Sequence, residues 1–90
     1  MAEAKLSARA KRIVAAGKLA YGETRWQSPL ARAAGLSPAL LQKIADGSRS
    51  VTDEVEDQIV AALLDEVARL ERAALKLSAL IGRILAAREK

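Results

Sequence analysis

The chain has 90 residues, which is enough for one small domain with a single hydrophobic core. It contains neither cysteine nor histidine, and this excludes disulfides, thiolate or imidazole metal sites, and Ser-His or Cys-His catalysis. The formal net charge is +4, alanine and leucine are abundant, and phenylalanine is absent, so the composition predicts an all-α protein. The charged first residues and the lack of a long apolar run predict a cytoplasmic protein without a signal peptide or membrane span.

The first helix is predicted from about Lys5 to Ala20, because small and apolar residues recur along one side of this segment at helical spacing. Gly22 follows as a residue that commonly ends a helix. Trp26 is expected to anchor helix packing rather than to stack on a base. The basic residues of this helix, Arg9, Lys11 and Arg12, are expected to be solvated.

Two signals compete for the start of the second helix. Thr24 with Gln27 forms a capping box, whereas Ser28 followed by Pro29 reads as a cap and a first helical position. The capping box would leave Pro29 beyond the first turn. We expect the helix to begin near Gln27.

Residues 27–46 have the spacing of a helix-turn-helix. Ala31 is small where two short helices would cross, and Gly35 can adopt the positive φ that the turn requires. Ser37 can cap the next helix, and Pro38 occupies its first position, where a missing N–H costs nothing. The inward positions hold Leu30, Leu36, Leu41 and Ile44.

The outward positions of the helix that begins at Pro38 hold Ala39, Gln42 and Lys43. Amide and ammonium groups on a short helix suit the base edges of the DNA major groove. Residues 1–50 carry nine Lys/Arg against three acids, a net charge of +6, whereas residues 51–90 carry six against eight, a net charge of −2. Positive charge therefore coincides with the helix-turn-helix, which favours contact with phosphates over a merely solvated basic face.

Residues 27–46, with the loop to Ser50, resemble the lambda-repressor-like (Cro/repressor, XRE-type) helix-turn-helix family. The matching positions are Gln27, Leu30, Ala31, Gly35, Leu36, Ser37, Leu41, Ile44 and Gly47. The resemblance implies a recognition helix that reads bases through Ala39, Gln42 and Lys43. It also implies contacts with the DNA backbone from Gln27, Ser28, Ser37, Ser48, Arg49 and Ser50. The family often has polar residues where this chain has Pro38 and Ala39, so Gln42 and Lys43 are expected to carry most of the base reading.

The remainder of the chain predicts one long helix from Asp53 to about Arg88, with Thr52 as its cap. This segment contains no proline, and its only glycine is Gly82. A single helix here would be about 54 Å long at 1.5 Å per residue, more than the helix-turn-helix can cover. It must either bend back on itself as a helix pair or project and meet another chain.

The apolar residues of this helix recur in steps of three and four and so form a heptad seam. The seam comprises Val60, Leu63, Val67, Leu70, Ala74, Leu77, Ile81 and Ile84. Its alternation of branched residues and leucine resembles a parallel two-stranded coiled coil, but Glu66 would then face Glu71 of the partner. Leu80 and Leu85 widen the apolar stripe, which suits a bundle of several helices.

The N-terminal part of this stripe, Ile59, Leu63 and Leu64, is expected to cover the helix-turn-helix core. The rest has nothing in its own chain to cover it. We therefore expect a homodimer or tetramer assembled through Val67, Leu70, Ala74, Leu77, Leu80, Ile81, Ile84 and Leu85.

The sequence thus predicts a DNA-binding domain over residues 1–52 and an oligomerisation helix, continuous with it, over residues 53–90. The expected function is a transcriptional repressor that binds an inverted repeat in double-stranded DNA as a homodimer, with half-sites about one turn, near 34 Å, apart. The alternative is a protein-interaction adaptor, antitoxin-like or phage-assembly, whose C-terminal helices bind a partner protein. No enzymatic activity, metal or cofactor is expected, because the acidic residues form no convergent cluster.

Overall fold

The computed structural model describes residues 6–88, which fold into helices joined by short turns and loops. The helices are α1 (Ala8–Tyr21), α2 (Gln27–Ala34), α3 (Pro38–Ala45) and α4 (Asp53–Arg88). The predicted all-α fold, with helix-turn-helix-like short helices followed by a long helix, is confirmed. Helix α4 is one unbroken helix of 36 residues that projects from the other three, so the molecule measures 66 × 29 × 20 Å. The bent helix pair is therefore not what forms.

Helix α1 begins later than predicted. Lys5 lies outside the described residues, and Ser7 is extended, with φ −64° and ψ 160°. Its Oγ accepts a hydrogen bond from the backbone N–H of Ala10 at 3.0 Å. Because this bond satisfies one of the unpaired N–H groups at the start of a helix, Ser7 caps α1 and Ala8 is its first residue.

The turn between α2 and α3 follows the sequence signals. Gly35 adopts a left-handed conformation with φ 73° and ψ 30°, and the N–H of Leu36 donates to the carbonyl of Ala31 at 2.8 Å. Ser37 caps α3, since its Oγ accepts from the N–H of Leu40 at 3.1 Å. Helix α2 starts at Gln27 as expected, without a side-chain cap from the preceding residue.

The core lies where α1, α2, α3 and the beginning of α4 meet. The largest side chains buried there are Trp26, Leu30, Leu41, Ile44 and Ile59. Trp26 lies directly on Gly17, because a Cβ at position 17 would be 2.4 Å from its Cε3 atom. The predicted role of Trp26 as a packing anchor is confirmed.

The beginning of α4 completes this core. Thr52 caps the helix as predicted, its Oγ1 accepting from the N–H of Val55 at 3.2 Å. Ile59 and Ala62 are buried, and Leu63 packs against them. Leu64, however, is 64% exposed. The prediction that it covers the core is wrong, because the helical period turns it away from the buried side of α4.

Arg9 is not the solvated residue that the sequence suggested. Its Nε and Nη2 atoms donate to the two carboxylate oxygens of Glu56 at 3.0 and 2.9 Å, and Nη1 donates to the carbonyl of Val51 at 3.2 Å. Nη2 also bonds the Asp53 carboxylate. The hydrogen bonds that Arg9 donates to Glu56 and then to Asp53 raise the pKa of Arg9, and accepting them lowers the pKa of Glu56. This cluster ties α1 to α4 and removes one positive charge from those available to phosphates.

Candidate nucleic-acid interface

Helix α3 presents one side to the core and the other to solvent. Leu41 and Ile44 are fully buried, whereas the three residues predicted to read bases, Ala39, Gln42 and Lys43, are exposed. Positions separated by three and four residues share one face of a helix. The structure therefore brings the predicted base-reading residues together on a single exposed face of α3.

Gln42 is held in place by a residue of the other helix. The Nε2 of Gln27, in the first position of α2, donates to Oε1 of Gln42 at 3.3 Å. This bond leaves the Gln42 amide with its NH₂ donors and a second lone pair on its oxygen. The sequence pointed to both glutamines separately, but their hydrogen bond depends on the angle between α2 and α3, which the sequence does not reveal.

The start of α2 offers free backbone donors. Trp26 provides no side-chain cap, and the first bond into its carbonyl comes from the N–H of Leu30 at 3.1 Å. Among the described residues, the N–H groups of Gln27 and Ser28 have no partner. They lie at the positive end of the helix dipole, where a phosphate oxygen is favoured. Ser28 is exposed, and Ser37, although it caps α3, keeps its hydroxyl hydrogen free to donate.

The loop after α3 is held by its own hydrogen bonds. The N–H of Ser48 donates to the Asp46 carboxylate at 2.8 Å and to the carbonyl of Lys43 at 3.0 Å, and its Oγ donates to that carbonyl at 3.4 Å. Both donors of Ser48 are thus engaged within the loop. These bonds support a role for Ser48 in holding the loop conformation, although the sequence predicted a contact with the DNA backbone. Hydrogen bonding by Ser48 lowers the pKa of Asp46. The exposed Arg49 and Ser50 remain the donors that the loop presents to solvent.

The predicted oligomerisation residues all lie in the part of α4 that projects from the core. Each of them is exposed: Val67, Leu70, Ala74, Leu77, Leu80, Ile81, Ile84 and Leu85. Two further leucines that were not among the predicted residues are also largely exposed, Leu19 of α1 at 90% and Leu75 of α4 at 74%. The signal was present, since Leu19 is a large apolar residue that falls outside the predicted buried side of the first helix.

Two kinds of site are not found within residues 6–88. This part of the chain has no group of three or more acidic side chains arranged to hold a metal ion. No helix in the same range is both long and apolar enough to cross a membrane.

Comparisons of the chain with protein-family models, with curated proteins and with solved structures give no match. The likeness to the lambda-repressor-like helix-turn-helix family therefore depends on the motif at residues 27–50 itself. The exposed face of α3 and the uncovered part of α4 are the two surfaces of the molecule that bear on function.

Proposed function

We propose that this protein is a sequence-specific DNA-binding regulator that inserts α3 into the major groove. The observation that carries the proposal is the hydrogen bond between Gln27 and Gln42 on the exposed face of the helix-turn-helix. A polar bond at that position contributes nothing to the core. It does fix the orientation of a long side chain, and so reduces the conformational entropy that Gln42 would lose on binding a base.

In this proposal the side chains of α3 read sequence and the surrounding groups bind phosphates. The Gln42 amide can accept from N6 and donate to N7 of adenine, and Lys43 can donate to the acceptors of guanine. Ala39 can contact a thymine methyl group. Phosphate contacts come from the N–H groups of Gln27 and Ser28, the Ser37 hydroxyl, and Arg49 with Ser50, and these supply affinity rather than specificity.

The projecting part of α4 would join two copies, as its exposed apolar residues suggest. A homodimer presents two recognition helices related by a two-fold axis, and therefore matches an inverted repeat. Occupying such a site would repress transcription by blocking a promoter.

Selection of bound DNA from a random pool tests the proposal. We expect one enriched inverted repeat. Replacing Gln42 and Lys43 together with alanine should reduce discrimination between this repeat and other DNA, each good base contact being worth about 1–3 kcal/mol. The variant Arg49→Ala should instead weaken binding to every sequence alike and lower the salt dependence.

The variant Arg72→Ala is the matched control, because it removes the same charge from an exposed position on the projecting part of α4. It should leave binding close to that of the unaltered chain. Equal affinity for all DNA sequences would contradict a sequence-specific regulator and would indicate an architectural DNA-binding protein. No retention on DNA or heparin at low salt would overturn DNA binding altogether.

A second candidate function is a protein-interaction adaptor whose α4 binds a different protein. The observation that favours it is the width of the apolar surface on α4, where Leu75 is exposed as well as the heptad seam. Insolubility without a co-expressed partner, together with no retention on DNA, would support the adaptor over the regulator.

A further inference from the structure

The exposed apolar stripe of α4 continues into a groove between α1 and α4. We name it the α1–α4 groove, and its apolar lining is Ala16, Leu19, Ala20, Leu63, Val67 and Leu70. Leu19 forms one wall and is 90% exposed. The groove and the stripe share Val67 and Leu70, so together they form one continuous uncovered apolar surface.

The charges on α4 are divided between its two halves. Residues 53–66 contain six acidic residues and no basic one. Residues 67–88 contain five basic residues and a single acid, Glu71. The helix therefore has a negative N-terminal half and a positive C-terminal half, in addition to the seam of apolar residues that runs along it.

We propose that a second copy of this chain covers this surface, with its α4 antiparallel to the first and its C-terminal end in the α1–α4 groove. The inference rests on the homodimer of the proposed function and specifies its orientation. An antiparallel pair holds the acidic segments 53–66 of the two copies at opposite ends and brings the basic end of each helix, at Arg88, next to residues 63–66 of the other. A parallel pair would instead align the two acidic segments, each with six acids and no basic residue, along each other at one end of the dimer.

The part of each copy outside the projecting helix, residues 6–66, also restricts the arrangement, and we name it the compact unit. Helices that ran parallel would bring both compact units to the same end of the pair, where each α1–α4 groove would face a bulky domain. In the antiparallel arrangement each groove meets the last turns of the other copy's α4, which carry exposed apolar residues such as Ile84 and Leu85.

The spacing of the seam is also compatible with an antiparallel second helix, because its six positions from Val67 to Ile84 recur in steps of 3, 4, 3, 4 and 3. Read in either direction the steps are the same. Val67 then lies opposite Ile84 of the second copy, Leu70 opposite Ile81, and Ala74 opposite Leu77. This register also sets the basic residues near position 88 beside the acids near position 65.

One consequence concerns DNA. In this register residue 53 lies about 34 Å from the midpoint of the pair, at 1.5 Å per residue. The two helix-turn-helix units are therefore at opposite ends of the dimer rather than side by side. We expect half-sites about two turns apart, near 68 Å, instead of the single turn expected from the sequence.

Cysteine cross-linking tests the orientation, because the chain has no cysteine of its own. In the antiparallel pair the double variant V67C/I84C should form a covalent dimer on oxidation, whereas V67C and I84C alone should not. In a parallel pair each single variant would cross-link, and this result would overturn the proposal. The control R72C/A79C has its two cysteines on the opposite face of α4 and should not cross-link in either arrangement.

A spin label at A86C gives an independent measurement that leaves the seam intact. The antiparallel register predicts a distance of about 32 Å between the two labels, whereas adjacent parallel helices would hold them under about 20 Å apart. A monomer in light scattering at micromolar concentration would also overturn the inference. Both experiments omit DNA, so a failure of DNA binding and a failure of the orientation are read separately.

Discussion

The compact unit, residues 6–66, and the projecting part of α4, residues 67–88, are both helical and rich in alanine and leucine, yet they bury their side chains to opposite extents. Leu41 in the first is fully buried, while Leu77 in the second is 60% exposed. Apolar content alone thus does not decide burial. The short helices of the first region turn back on one another, whereas α4 has no turn and its far half has no neighbour among the other described residues, 6–52.

The comparison also concerns stability. An isolated amphipathic helix gains little from propensity, and most helical stability in proteins comes from packing of the apolar face. The compact unit has that packing through Trp26, Leu30 and Ile59. The projecting part of α4 must obtain it from another molecule, and so its helicity should depend on protein concentration.

The largest effect on the free energy of unfolding is expected when a glycine is replaced by alanine in each region. In the compact unit Gly17→Ala places a methyl group where Trp26 lies, since the added Cβ would be 2.4 Å from its Cε3 atom. Such overpacking should lower the free energy of unfolding by about 3 kcal/mol. In the projecting part of α4 Gly82→Ala meets no atom within 4 Å and should stabilise the helix by about 1 kcal/mol. Thermal unfolding followed by circular dichroism measures both, and equal effects would show that the two regions do not differ in packing.

The next effect distinguishes two leucines of the projecting part of α4. Leu77→Ala shortens a seam residue and should weaken self-association by about 2 kcal/mol, or roughly 30-fold in dissociation constant. Leu75→Ala makes the same change on a leucine outside the seam, which is 74% exposed, and should change association little. Sedimentation equilibrium gives both constants. If Leu75→Ala proved the more damaging, the seam would be misplaced.

A smaller effect, on the discrimination between DNA bases, is expected from substitutions on the exposed face of the compact unit. Gln42→Ala should cost about 1–3 kcal/mol of discrimination between bases. Gln27→Ala removes only the bond that orients Gln42, and should cost about 1 kcal/mol. In a double-mutant cycle the two losses should not add, because they act through one interaction. Gln58→Ala serves as control, since Gln58 donates to the carbonyl of Ala34 and supports folding instead.

The smallest effect concerns the contact between α1 and α4. The hydrogen bond from Arg9 holds the pKa of Glu56 below its ordinary value, so the folded state is stabilised above the unfolded-state pKa and loses this contribution as pH falls through the folded-state pKa. Glu56→Gln should therefore lower the melting temperature at pH 7, and the difference from the unaltered chain should shrink below about pH 4. Glu54→Gln changes an exposed acid of the same turn and should show a weaker dependence. A constant difference across pH would contradict the ion pair as its cause.

Much of the fold could be predicted from local signals. Glycine at 22 and 35, serine at 37 and threonine at 52 all mark helix ends where the structure has them, because capping and positive φ depend on a few neighbouring residues. The start of α1 was placed too early, since the first helix was set by its apolar pattern and not by Ser7 as a cap.

The candidate site was predictable only in part, and the reason is the distance along the chain between its members. Ala39, Gln42 and Lys43 are close in sequence, so helical spacing alone places them on one face. The partners of Arg9 lie more than forty residues away in Val51, Asp53 and Glu56, and no local pattern pairs them. The same holds for the exposed Leu19 and the α1–α4 groove.

The sequence by itself therefore determined the helices, their ends, the apolar face of each, and the division of charge along α4. The tertiary structure alone decided which of those faces were covered, that α4 projects without bending, and that Gln27 reaches Gln42. The physical reason is that caps and periodicity act within a turn or two of helix, whereas packing angles depend on side chains such as Trp26 and Gly17 that meet only once the chain has folded.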